Sequence, residues 1–132
     1  IYDLIVEPQL NEFVSSSFEE ICIEWLREKN RKKELPFIFT QIGRWWSKDV
    51  EIDIVATNED KSELLSAECK FHNSVINDSD LQKHLNKNLT NLQKKENALV
   101  HIWYFSLKGY TAKARTFAAQ NEIVLIEGKD LF

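Results

Sequence analysis

The sequence predicts an α/β fold in which a mixed central sheet is flanked by helices. Three observations carry that expectation. Helical and strand periodicities alternate in the order αβββαβαβ, one late segment is apolar without alternation as a strand covered on both faces must be, and the breaks between segments are short and polar. The 132 residues suit one domain with its own core. With 43% hydrophobic and 29% charged residues, and only three Gly and two Pro, the composition is that of a globular protein.

Taken in order, Pro8 suits a helix opening, where its missing N–H costs nothing. Phe18, Ile21, Cys22, Trp25 and Leu26 then recur at helical spacing, so a helix is expected over 8–30, bent at Ser15-Ser16-Ser17. Segments 37–42, 50–57 and 63–71 are short, apolar-rich and bounded by Gly or by polar turns such as Asn58-Glu59-Asp60-Lys61. They read as three consecutive antiparallel strands. Ser79 with Gln82 three residues on has the form of a capping box, and it opens a helix over 80–95 through Leu81, Leu85, Leu89 and Leu92. The run 98–105 is the doubly covered strand. Gly109 marks a turn needing positive φ, Thr111 caps a helix over 111–120, and 122–126 is the last strand.

Several classes are excluded or disfavoured. No apolar run approaches the roughly 18 residues that cross a bilayer, and no signal peptide is legible, so a cytoplasmic protein without a membrane partner is expected. Cys22 and Cys69 sit in apolar surroundings and are expected to be reduced core thiols, with no His at zinc-ligand spacing. The chain starts at Ile1 and contains no Met, which is expected of a piece of a longer product. No Gly-rich phosphate loop is present. Net charge is −4, yet cations concentrate at Arg27, Lys29, Arg31, Lys32 and Lys33 and again at Lys83, Lys87, Lys94 and Lys95. Each run is either a solvated helix end or a phosphate contact.

The chemistry lies in the hairpin 50–71. Pairing residues whose numbers sum to 121 sets Thr57 against Leu64, Val55 against Ser66 and Asp53 against Glu68. Alternation then gives one face Asp53, Val55, Ser66, Glu68 and Lys70, and the other, the core face, Ile52, Ile54, Ala56, Leu65, Ala67, Cys69 and Phe71. Like charges opposite each other destabilise a sheet, by roughly 3 kcal/mol at about 5 Å and an effective dielectric near 20. Positive charge should therefore sit between them. Lys70 supplies one, and a hard cation such as Mg²⁺ (or Mn²⁺), held by Asp53, Glu68 and the backbone carbonyl of Cys69, would supply the rest. Such a site polarises a phosphoryl oxygen and activates water, with Lys70 orienting that water, so the reaction class is phosphodiester hydrolysis. The competing reading is a structural ion-pair cluster at a sheet end.

A helix bearing an acid, a hairpin carrying Asp then Glu-x-Lys, a helix and a return strand resemble the PD-(D/E)XK superfamily of nucleases, which includes restriction enzymes and Holliday-junction resolvases. Closer still is the resemblance to the domain at the C-terminus of archaeal-type ATPases. It is carried by Ser17-Phe18-Glu19-Glu20-Ile21-Cys22, Ile42-Gly43-Arg44-Trp45-Trp46, Glu51-Ile52-Asp53-Ile54-Val55-Ala56 and Ala67-Glu68-Cys69-Lys70-Phe71, and it covers nearly the whole chain. The run from Phe105 to Ala112, followed by Ile123-Val124-Leu125-Ile126, is also similar to Mrr-like restriction endonucleases. The resemblance implies a restriction-endonuclease-like αβββαβ core and a fourth acid and metal ligand at Glu19. Glu19 lies beside Leu26 at the edge of the apolar stripe, whereas Glu20 points away. Ile52 stands where the superfamily has Pro, the least mechanistic member of the motif.

Other residues divide less sharply. His72 follows Lys70 on the same face and could reach phosphate, with a surface role as the commoner outcome; Arg44, Lys83 and Lys87 are the other candidate nucleic-acid contacts. Gln82 is a candidate polar neighbour of the site. His84 and His101 read as structural. Trp45 and Trp46 could stack on bases, against a preferred reading of one core and one rim residue. The expected protein is thus a Mg²⁺-dependent DNA nuclease domain attached to an upstream ATPase. The alternative is a catalytically silent regulatory or protein-interaction module that keeps the fold. Either is compatible with a homo-oligomer.

Overall fold

A computed structural model describes residues 2–71, 74–93 and 97–132, with side chains from Ser17 onward except Gln93. His72, Lys94 and Lys95 lie outside the described residues. Helix α1 (Tyr2–Arg31) is followed by β1 (Gln41–Ser47), β2 (Val50–Thr57), β3 (Glu63–Lys70), α2 (Asp78–Asn88), a π-helical segment (Leu89–Gln93), β4 (Leu99–Ser106), α3 (Ala112–Asn121), β5 (Val124–Glu127) and α4 (Gly128–Leu131). The five strands form one mixed sheet in the order β1-β2-β3-β4-β5. The first three are antiparallel, and β3, β4 and β5 run parallel.

Helix α1 covers one face of the sheet, where Phe18, Cys22 and Leu26 pack with Ile54, Ala56, Leu65, Ala67, Cys69, Trp103 and Phe105. The opposite face carries α2 and α3, with Leu81, Ala114 and Ala118 against Ile102 and Tyr104. A third cluster beneath the π-helical segment joins Ile52, Val55 and Leu64 to Leu92 and Ala98. β4 feeds both faces, as its uninterrupted apolar run requires.

Several boundaries differ from expectation, each for a physical reason. Helix α1 runs through Ser15–Ser17, and Pro8 lies within it instead of opening it. The first strand is Gln41–Ser47, not 37–42. Phe37 and Phe39 are core residues, but Asn30 of α1 accepts from the Phe39 N–H at 2.9 Å and donates to its carbonyl at 3.0 Å. Phe39 therefore has neither group left for a ladder. Helix α2 is capped two residues earlier than Ser79: Asn77 accepts from Asp80 N–H, and the Asp80 carboxylate accepts from Asn77 N–H. β5 begins at Val124 because Glu122, at φ 55°, closes α3 in the left-handed conformation. α4 was not foreseen. Thr111 caps α3 and Gly109 takes φ 96°, both as expected.

Candidate active site

The β2–β3 ladder has the expected register, Thr57↔Leu64 through Ile54↔Ala67. It then stops, and Asp53 is not a ladder partner of Glu68. The cause lies on the other edge of β2. Between Gly43↔Val55 and Trp45↔Ile52, β2 advances by three residues while β1 advances by two, a bulge in which Asp53 and Ile54 stand opposite Arg44. Alternation slips there. Ile52 and Ile54 are both fully buried, yet Ile54 packs under α1 and Ile52 on the opposite face with Val55 and Leu64. The expected grouping of Ile52 with Ile54 is thereby corrected, and Asp53 is re-aimed toward β3, where its Oδ2 accepts the Cys69 N–H at 3.0 Å.

An open cleft of about 600 Å³ lies over this lapse in the ladder. Asp53, Glu68, Lys70, Lys83 and Lys87 all line it, so five of the sequence-derived candidates converge. Glu68 is the buried one, 6% exposed. Lys87 Nζ stands 3.1 Å from its Oε1 and also donates to the Glu51 carbonyl at 2.9 Å; Lys70 Nζ lies 3.9 Å from Oε2. Burial, and after it the Asp53 charge, raise the Glu68 pKa above the ordinary carboxylate value, with Lys87 and Lys70 only partly opposing.

The remaining candidates sit around the cleft instead of in it. Glu19 pairs with Arg44 at 2.6 Å, and Arg44 also binds Glu51. Burial, then the charge of Asp53, raise the Glu19 pKa, so the carboxylate faces the site electrostatically while its guanidinium partner holds it. Arg44 is thus engaged by two carboxylates. Gln82 donates to Asn86 at 3.0 Å on the outer face of α2. Trp45 is half-buried and Trp46 is 70% exposed, as the core-and-rim reading expects. The basic run at the end of α1 is largely consumed locally, by Arg27–Glu24, Arg31–Glu28, Lys32–Glu28 and Lys29–Glu34 pairs.

Two contacts of Glu68 go beyond the sequence reading. Lys87 was expected on phosphate, and it lies on the Glu68 carboxylate. His84, expected to be structural, packs edge-on to Tyr104 with Nδ1 3.8 Å from Glu68 Oε1. Burial lowers its pKa to about 4, so at neutral pH it backs Glu68 as a neutral ring. The signal that could have found both is helical spacing: His84 and Lys87, three residues apart, are neighbours on the surface of α2.

Among the described residues no three His, Cys, Asp or Glu side chains form a metal-holding group. A cage of Glu19, Asp53 and Glu68 is therefore not assembled. Two cleft carboxylates, hard oxygen donors that raise each other's energy when ionised, do fit a Mg²⁺-type ion, which takes one or two protein carboxylates and completes its shell with water and phosphate. Cys22 and Cys69 are both free and buried. No helix among the described residues is long and apolar enough to cross a membrane.

Comparison with known proteins agrees with the architecture. A repair endonuclease from Pyrococcus abyssi superposes with a TM-score of 0.59 at 12% identity, covering 83% of this chain and 46% of its own. A crystal structure of a protein of unknown function gives 0.58 at 23% identity, with 83% and 56% coverage. These likenesses establish the fold, one that this chain shares with a repair endonuclease. An uncharacterized protein of Methanocaldococcus jannaschii is 35% identical over 78 residues, which are 59% of this chain and 17% of that protein. Residues 2–99 match the model of the DUF234 family, archaeal and bacterial proteins of unknown function, and the chain belongs to that family.

Proposed function

We propose that this domain hydrolyses phosphodiester bonds of DNA with the help of a divalent cation, Mg²⁺ or Mn²⁺, bound at Asp53 and Glu68. The observation that carries the reading is the convergence of two carboxylates and three ammonium groups on one open cleft where the β2–β3 ladder lapses. The PD-(D/E)XK pattern Asp53…Glu68-Cys69-Lys70 and the likeness of the fold to a repair endonuclease support it.

Each group has a role. Asp53 is held by Oδ2 against the Cys69 N–H, which fixes its orientation and leaves Oδ1 for a ligand. Glu68 is desolvated, so its charge calls for a cation. The Cys69 carbonyl is a third donor, and Glu19 an outer carboxylate released when Arg44 turns to phosphate. A cation held by these groups would supply Lewis-acid chemistry, polarising a phosphoryl oxygen and making water a better nucleophile. Lys70 orients the attacking water, whose oxygen bonds to phosphorus as the bond to the leaving sugar oxygen breaks, and it balances the charge that develops. Lys83 and His72 are the candidate contacts to the backbone phosphates, joined by Arg44 once it leaves Glu19 and by Lys87 once it leaves Glu68. The domain acts in the cytoplasm as part of a longer chain carrying an ATPase; the much greater length of the M. jannaschii relative favours a multidomain setting.

The test is cleavage of plasmid, linear and branched DNA in Mg²⁺ or Mn²⁺. Asp53→Ala and Lys70→Ala are each expected to lower the rate by at least about a hundredfold. Equal cleavage by wild type and both variants would assign the signal to contamination. A second reading, a silent interaction module, is favoured by one observation: Glu19 and Glu68 are each already paired with a cation of the chain itself.

A further inference from the structure

We propose that Lys87 is a resident counter-ion that holds the position of the divalent cation, so that loading the site requires its ammonium to leave Glu68. The inference rests on the reading above and concerns how the site is switched on. Lys87 Nζ makes the shortest cationic contact to Glu68, 3.1 Å to Oε1, and its second acceptor, the Glu51 carbonyl at 2.9 Å, lies on β2 two residues from Asp53. One ammonium thus bridges the two strands that carry the carboxylates, at the place where the ladder between them has stopped. That is the electrostatic work a metal would do.

The geometry also gives Lys87 a way out. Its side chain is 30% exposed, whereas that of Glu68 is 8% exposed, so Lys87 can swing into the cleft without crossing the core. It sits in the last turn of α2, immediately before the helix widens to π geometry over Leu89–Gln93. Such π-helical turns are rare and frequently stand at functional sites. Asn91 donates to the Lys87 carbonyl at 2.9 Å and Asn88 to the His84 carbonyl at 2.7 Å, so the backbone stays anchored while the ammonium moves. Once released, Lys87 faces the same cleft as Lys70 and Lys83 and adds a third cation for the substrate backbone. The latch therefore couples cation loading to the appearance of a phosphate contact.

A ligand that must wait for a closed state to open binds with an affinity reduced by the open fraction. Direct Mn²⁺ binding, measured by calorimetry and by loss of the free-ion paramagnetic signal at pH 8, is the readout. Lys87→Met is expected to bind Mn²⁺ about tenfold tighter than wild type, as for a latch closed about nine-tenths of the time. Lys83→Met, which removes a cleft charge that does not touch Glu68, should stay within about twofold. Equal tightening by Lys83→Met, or unchanged or weaker binding by Lys87→Met, overturns the latch. Should Lys87→Met not fold, the Lys87 ¹³Cε resonance of the wild-type protein reports instead. It should shift with Mg²⁺ at the midpoint of the Glu68 carboxyl resonance, and a resonance that does not move overturns the proposal. Asp53→Asn separates the two levels: if it binds Mn²⁺ as wild type does, the metal-site reading itself fails, whereas lost binding beside an unaltered Lys87→Met affinity removes only the latch.

Discussion

Two ends of the same pair of strands behave oppositely. From Thr57↔Leu64 to Ile54↔Ala67, β2 and β3 are fully laddered and their apolar side chains are buried beneath helices on both faces. Beyond Ile54 the ladder lapses, a bulge re-aims Asp53, and the next residues outward are Glu51, Asp53, Glu68 and Lys70. The paired end holds the fold together. The open end stores like charge in a place where backbone pairing cannot relieve it and only cations can, which is how a sheet can present a charged edge without sacrificing its core.

The comparison can be broken by mutation. Leu65→Ala in the paired end should cost about 2–5 kcal/mol, read as a lower denaturant midpoint with unchanged slope. A loss under about 1 kcal/mol would mean this end is not the structural one. His84 comes next. Its pKa falls from 6.5 to about 4 on folding, so the stability it contributes is present above pH 6.5 and is lost as the pH drops toward 4, by up to about 3 kcal/mol. Relative to His84→Gln, the wild type should therefore lose ground between pH 6.5 and 4. A constant difference would contradict the buried neutral ring.

The open end predicts the opposite sign. The Glu68 pKa is raised, so its contribution is fully present below the ordinary carboxylate range and is lost as the pH rises through the raised value. Metal-free Glu68→Gln should melt about 2–4 °C above wild type at pH 7, with the gap closing near pH 4. A lower melting temperature would show that Lys87 and Lys70 more than offset the burial. The smallest effect is expected for Arg44→Ala, within about 1 kcal/mol, since Arg44 itself is largely solvated and its pair with Glu51 is exposed.

The hairpin 50–57/63–70 was legible because a period-two pattern and one short turn fix both faces and register. The same pattern misplaced β1, because Phe37 and Phe39 alternate as strand residues do while the Asn30 side chain, on the preceding helix, takes the backbone groups of Phe39. The slip at Ile52 was invisible for a similar reason. A bulge is a property of two strands, and no single strand spells it. Asp53, Glu68 and Lys70 could be named from spacing, and Lys83 and Lys87 from the charge run on α2. That Lys87 would lie on a carboxylate could not be named, because it depends on where α2 lands over the sheet.

The most direct measurement is anomalous diffraction from crystals grown with Mn²⁺. The account predicts one Mn²⁺ peak contacting both the Asp53 and Glu68 carboxylates, with Lys87 Nζ displaced from Glu68. A cleft without Mn²⁺ at saturating concentration, with Lys87 still seated on Glu68, would contradict it.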